Sequence, residues 1–145
     1  MRKKHAGTNQ AERKELIERA ASAKVRAYAP YSRFRVGAAL LTEEGDIFEG
    51  CNVENSSYSL TICAERNALF QAVMNGRTSF RAIAISSDVD GFLPPCGACR
   101  QVLSEFSPSM DIILTNGNGK MKVVTLDVLH PMPADLKMLA RPERG

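Results

Sequence analysis

Apolar positions near the N-terminus recur at helical spacing, with Leu16, Ala20, Ala23 and Ala27 marking one face of an amphipathic helix. The first ten residues are polar and aperiodic and read as a loose arm. Pro30 ends the helix, because proline disfavours helical geometry in the residue before it, and Ala29-Pro30-Tyr31-Ser32 reads as a turn. Residues 34–41 and 46–52 are β-type runs joined by Thr42-Glu43-Glu44-Gly45, which predicts a hairpin. Residues 63–75 are rich in helix formers, carry an apolar stripe at Ala64, Ala68 and Ala72, and stop at Gly76. Residues 81–86 and 111–115 are apolar on both alternating faces, the pattern of strands covered by helices on both sides of a sheet. Between them Pro94-Pro95 interrupts the chain and residues 96–106 read as another helix. The turn Asn116-Gly117-Asn118-Gly119 leads to a last strand near residues 121–124. These elements predict a layered α/β domain.

Composition narrows the classes. A chain of 145 residues fits one domain, residues 1–145, and 44% apolar with 24% charged residues is ordinary for a globular protein. The net charge of +3 is dispersed, with Arg2, Lys3, Lys4, Arg141 and Arg144 at the termini, and Trp is absent. A nucleic-acid reader shows a concentrated basic face with interleaved aromatics, so no nucleic-acid partner is expected. No apolar run approaches the roughly 20 residues of a membrane span, and no signal-peptide core is present. The expectation is a cytoplasmic protein with no membrane partner. In that reducing compartment the four cysteines read as thiols or metal ligands rather than disulfides.

Two islands carry candidate chemistry: Thr61-Ile62-Cys63-Ala64-Glu65-Arg66-Asn67-Ala68 and Pro94-Pro95-Cys96-Gly97-Ala98-Cys99-Arg100-Gln101. Each opens a predicted helix with a thiol, where free backbone N–H groups and the helix dipole favour the metal-binding thiolate. Cys96 and Cys99 are three residues apart, so both sulfurs face one point from the first turn. Three thiolates leave one position of a tetrahedral Zn2+ ion open, the arrangement of catalytic rather than structural sites. Cys51 is the alternative fourth ligand of a closed, structural site. Glu65, two residues after Cys63, is placed to move protons beside the metal without coordinating it. Its plainer reading is a first-turn glutamate favoured by the dipole.

Cys63-Ala64-Glu65 and Pro95-Cys96-Gly97-Ala98-Cys99 resemble the zinc-deaminase signature, with cysteine in place of the histidine used by nucleic-acid editing enzymes. The closer likeness is to the small homotetrameric, three-cysteine cytidine deaminases of pyrimidine salvage. It runs from about Tyr28 to Phe106 through Tyr28-Ala29-Pro30-Tyr31-Ser32, Phe34, Val36-Gly37-Ala38-Ala39-Leu40-Leu41, Gly50-Cys51-Asn52-Val53-Glu54-Asn55 and Cys63-Ala64-Glu65-Arg66. The resemblance implies a three-layer α/β/α sandwich around a mixed sheet of about five strands, and a homotetramer acting on a free pyrimidine nucleoside. It implies zinc on Cys63, Cys96 and Cys99, proton transfer by Glu65, and substrate contacts from Phe34, Asn52, Glu54 and Ala64. Phe34 would pack against the pyrimidine, and Asn52 and Glu54 would hydrogen-bond the ribose. A site built to bond a sugar hydroxyl rejects analogues lacking it, because its buried polar groups are then unpaired. Arg66 would hydrogen-bond the thiolates and offset their negative charge.

The chain departs from the family near its C-terminus. Leu129-His130-Pro131-Met132-Pro133-Ala134 stands where relatives have a Leu-Pro turn and then an aromatic, and no aromatic follows Phe106. Met132 is the residue expected to fill part of that volume. Neither His5 nor His130 is expected to bind metal or act in catalysis. Two competing readings are a deaminase of blasticidin-like or N4-substituted cytosine nucleosides and a non-enzymatic zinc-stabilised binding module.

Overall fold

The structure, a computed structural model, describes residues 7–139. Residues 1–6 of the expected arm, His5 among them, lie outside the described residues. The remainder of the arm is tied down: Thr8 is buried, and its N–H and hydroxyl donate to Asp111 at 3.0 and 2.8 Å. Helix α1, Gln10–Lys24, begins at Asn9, whose side chain accepts from the Glu12 N–H at 2.9 Å and donates to the Glu12 carboxylate at 2.8 Å. This reciprocal cap satisfies one of the backbone donors that the first turn leaves without partners. The helix ends before the expected stop at Pro30. Beyond Lys24 the chain makes two further turn bonds and then pairs Tyr28 with Val53 in a parallel bridge, so that Ala27 lies outside the helix.

Five strands form one mixed sheet in the order β2-β1-β3-β4-β5. They are β1 Val36–Thr42, β2 Ile47–Cys51, β3 Phe80–Ser87, β4 Asp111–Thr115 and β5 Met121–Thr125. β3 and β4 run parallel, and the other neighbours are antiparallel. Helices α2, Ala64–Met74, and α3, Gly97–Ser104, precede and follow β3, and a short α4, Leu126–Leu129, follows β5. Phe34 precedes β1 rather than opening it, because its carbonyl accepts from the Asn52 side chain. Phe106 likewise falls beyond α3, in a turn bonded to Leu103.

Side-chain alternation divides the core into two sheets of contact. Ala39, Leu41, Ala82, Ala84 and Ile113 pack with Leu16 and Ala20 of α1. Val36, Ala38, Leu40, Ile83, Ile85, Ile112 and Leu114 pack with Ala64, Ala68, Leu69 and Ala72 of α2 and Leu103 of α3. The result is an α/β/α sandwich with the cysteine-bearing helices together on one face. Two glycines let the helices sit close. A Cβ at Gly37 would lie 2.0 Å from the Ala20 carbonyl oxygen of α1, and one at Gly50 would lie 2.4 Å from the Ala64 carbonyl oxygen of α2. Among the described residues no helix is long and apolar enough to cross a membrane.

Candidate metal centre

Cys63 and Cys96 are the N-cap residues of α2 and α3, and neither makes a side-chain capping bond. Their extended backbones, ψ 155° and 167°, leave both sulfurs outside the helical turns that follow. Cys99 lies within the first turn of α3 and is fully buried. The Cys63 and Cys96 sulfurs are 3.9 Å apart, and those of Cys96 and Cys99 are 3.4 Å apart. All three sulfurs lie within 4.8 Å of one another. A tetrahedral zinc with Zn–S bonds of about 2.3 Å has a ligand edge of about 3.8 Å, so this donor set fits the ion. Cys51 is not part of it: its thiol donates to the Arg26 carbonyl at 3.5 Å. Among the described residues the cluster therefore has three protein ligands, as an open site requires.

Electrostatics favour anionic sulfur at Cys63. Hydrogen bonding from Cys99 first, and the Arg66 guanidinium after it, bring the Cys63 thiol down to about 5. Cys99 moves the other way, its thiol raised by its bond to the Cys63 sulfur and by burial. Arg66 reaches the Cys63 sulfur from Nη2 at 3.5 Å, where the expected arginine–thiolate contact falls. Its Nε is buried without a partner. Glu65 is only 4% exposed, and burial pushes its carboxyl up to about 7 against a smaller lowering by the Cys99 thiol. A carboxyl of that affinity near the sulfur cluster exchanges protons readily at neutral pH.

The residues expected to read the substrate lie on an adjoining loop pair. Asn52 is 7% exposed and gives one amide donor and one acceptor site to backbone, accepting from the Val36 N–H at 2.9 Å and donating to the Phe34 carbonyl at 2.8 Å, which leaves its second amide N–H. Glu54, also 7% exposed, accepts from the N–H groups of Tyr31 and Ser32, both at 3.1 Å, and from the Ser32 hydroxyl. The Ser32 hydroxyl and these backbone donors hold its carboxyl below the usual range. Phe34 is half-buried against the α2–α3 core, and Ala64 is fully buried as the first residue of α2.

Several supporting residues carried no sequence signal, because each has a partner 16 or more residues away in the chain. Asn67 donates to the Cys51 carbonyl at 2.8 Å, tying the start of α2 to β2. Arg100 donates to the Pro95 carbonyl at 2.7 Å and the Leu129 carbonyl at 3.1 Å. Gln101 exchanges two bonds with the Ala134 backbone, at 2.8 and 3.2 Å, and meets the His130 ring at 3.0 Å. The pair fastens the C-terminal segment to the helix bearing Cys96 and Cys99. His130 takes part in that fastening, away from the three ligands. Met132 is 90% exposed and fills no space within the chain.

A layered α/β fold with three converging sulfurs beside a buried carboxyl defines a metal-dependent enzyme class. Residues 10–115 match the family model described as the cytidine and deoxycytidylate deaminase zinc-binding region. The chain belongs to this family. It is 52% identical over 118 residues to the cytidine deaminase of Sporosarcina psychrophila, covering 81% of this chain and 87% of that one. It is 48% identical over 121 residues to the cytidine deaminase of Halalkalibacterium halodurans, covering 83% and 92% of the two chains. A crystal structure of cytidine deaminase from Burkholderia pseudomallei superposes with a TM-score of 0.81 at 46% identity, covering 88% of this chain and all of that one.

Proposed function

We propose that this chain catalyses hydrolytic, zinc-dependent deamination of free cytidine and deoxycytidine, giving uridine or deoxyuridine and ammonia. The observation that carries this reading is the meeting of three sulfurs with the buried Glu65 carboxyl at the ends of two helices. Cys63, Cys96 and Cys99 would hold the ion, which when bound would supply Lewis-acid activation of a water near neutral pH. Glu65 takes one proton from the attacking water and gives it to N3 of the ring, then takes the second from the hydroxyl formed at C4 and gives it to the amine, which leaves as ammonia while the C4 carbonyl forms. Its burial keeps both protonation states accessible at the working pH. Phe34 packs on the pyrimidine, the Ala64 backbone lines the ring edge, and Asn52 and Glu54 read the sugar. Arg66 balances the thiolate charge and keeps the Cys63 sulfur oriented.

The wider setting we infer is a homotetramer in the cytoplasm serving pyrimidine salvage. Tyr28, Val53, Phe70 and Met74 are 56%, 45%, 49% and 81% exposed, an apolar extent that supports assembly. Met132, presented outward by the segment that Arg100 and Gln101 fasten, fits a contact with a neighbouring copy.

Glu65→Ala tests the catalytic assignment. The variant is expected to keep one zinc per chain and its fold while losing at least about 10³-fold in ultraviolet-monitored cytidine turnover. Unchanged turnover with zinc retained would remove Glu65 from the chemistry and favour a non-enzymatic zinc module. The same assay with blasticidin S in place of cytidine separates the nucleoside reading from that of an antibiotic deaminase.

A further inference from the structure

We propose that Ser32 is a positioning residue for sugar recognition, its hydroxyl fixing which oxygen of Glu54 remains available. This rests on the nucleoside reading above. A carboxylate offers about four acceptor sites, two on each oxygen. On Glu54, Oε1 is filled by the N–H groups of Tyr31 and Ser32, both at 3.1 Å, whereas Oε2 takes the Ser32 hydroxyl alone. One acceptor site is left, on the oxygen that Ser32 orients. Glu54 thus receives one sugar hydroxyl, through Oε2.

The same hydroxyl also reaches the backbone of Phe34. While its hydroxyl donates to Glu54, the Ser32 oxygen accepts from the Phe34 N–H at 3.0 Å. The Phe34 carbonyl is held at 2.8 Å by Asn52. Phe34 is therefore pinned on one side through Ser32 to Glu54 and on the other by Asn52, the two residues assigned to the sugar. Between the pinned neighbours, Arg33 sits at φ 55°, in the left-handed region that L-residues avoid, and its N–H bonds to the Ala29 carbonyl at 3.0 Å. Such a conformation persists only where the flanking contacts over-determine it. A chain of donors running Phe34 N–H to Ser32 O–H to carboxylate polarises along its length, which sharpens its directionality.

The test compares cytidine with 2′,3′-dideoxycytidine, which keeps the ring, the sugar frame and the 5′-hydroxyl and lacks the 2′ and 3′ hydroxyls. Ser32→Ala is expected to raise KM for cytidine by about 10-fold with kcat within about 2-fold, while kcat/KM for the dideoxy substrate moves less than about 2-fold. Ser32→Thr, which retains a hydroxyl at the same atom position, is expected to restore most of the preference and guards against a folding failure of the alanine variant. If Ser32→Ala lowers kcat/KM equally for both substrates, or Ser32→Thr behaves like Ser32→Ala while folded and zinc-loaded, Ser32 only supports the loop and the proposal is overturned. If the wild-type protein turns over neither substrate, the nucleoside reading fails instead, a result distinct from an active enzyme whose preference ignores Ser32.

Discussion

The two helical faces of the sheet use one seating device and end their helices in opposite ways. On one face α1 settles over Gly37, and on the other α2 settles over Gly50, each helix backbone lying where a Cβ would intrude. At its N-terminus α1 closes with the reciprocal Asn9–Glu12 cap. Helices α2 and α3 begin at Cys63 and Cys96, with no side-chain capping bond at either. A good cap contributes about 1 kcal/mol, and the face that carries chemistry forgoes that stabilisation twice. What it retains is two sulfurs at positive helix ends, where thiolate is favoured and a metal can be approached. One face is finished for stability, and the other is left open for binding.

Removing a sulfur gives the largest contrast between the faces. Cys99 is fully buried and within 3.4 Å of Cys96, so Cys99→Ser substitutes a poor zinc ligand at the innermost corner of the cluster. The expected outcome is loss of most bound zinc by elemental analysis and a fall of at least about 10³-fold in cytidine turnover. A variant that still carries one zinc per chain would show that the metal does not depend on this triad.

The glycine seats allow a matched pair of substitutions. Gly37→Ala and Gly50→Ala both drive a methyl into helix backbone, at 2.0 and 2.4 Å, and each is expected to destabilise by about 1–3 kcal/mol or more in urea unfolding. Only Gly50→Ala displaces the helix whose first turns include Ala64 and Ala68 and whose cap is Cys63. Its zinc should therefore be stripped by a chelator several times faster than that of Gly37→Ala. Equal stripping rates would mean that the two faces are mechanically coupled and not separable.

What the sequence makes legible follows the same division. Helical spacing locates α1 and α2, runs apolar on both faces locate β3 and β4, and turn and proline signals place the β1–β2 hairpin, α3 and β5; β4 matches its expected bounds of 111–115. The sulfur triad is legible from the spacing of Cys96 and Cys99 and from the second cysteine-led helix start. The end of α1 is not, because the bridge between Tyr28 and Val53 claims the backbone before Pro30 can act. Helix α4 has four residues, too few to show a period. The backbone roles of Asn52 depend on partners 16 and 18 residues away, and no local pattern encodes them.

A smaller effect tests how α1 is joined to the sheet by charge. Asp88 pairs with Lys24 at the end of α1 at 3.2 Å and with Arg35 just before β1 at 3.0 Å. The Arg35 hydrogen bond, with Lys24 contributing less, holds the Asp88 carboxyl at about 2 rather than its ordinary 3.8. Because the folded-state value is depressed, the stabilisation is complete above about pH 4 and is lost as pH falls toward 2. Asp88→Asn is expected to destabilise by about 1 kcal/mol at pH 7, allowing for solvent screening, with the difference from wild type narrowing by pH 3. A gap independent of pH would assign the effect to packing rather than charge.

The smallest expected effect bears most directly on the contrast between helix ends. Asn9→Ala removes the side-chain acceptor 2.9 Å from the Glu12 N–H and the donor to the Glu12 carboxylate, leaving an exposed helix start served by water. The cost should be about 0.5–1 kcal/mol in unfolding, with zinc content and cytidine turnover unchanged. The neighbouring contacts of Thr8 with Asp111 keep the segment in place, so the loss should stay local. Capping on this face then acts on stability alone, whereas replacing either capping cysteine on the other face acts first on the metal. A measurable fall in zinc affinity in Asn9→Ala would show that the finished face also governs the open one, carried across the sheet by the packing of α1 on β1 and β3.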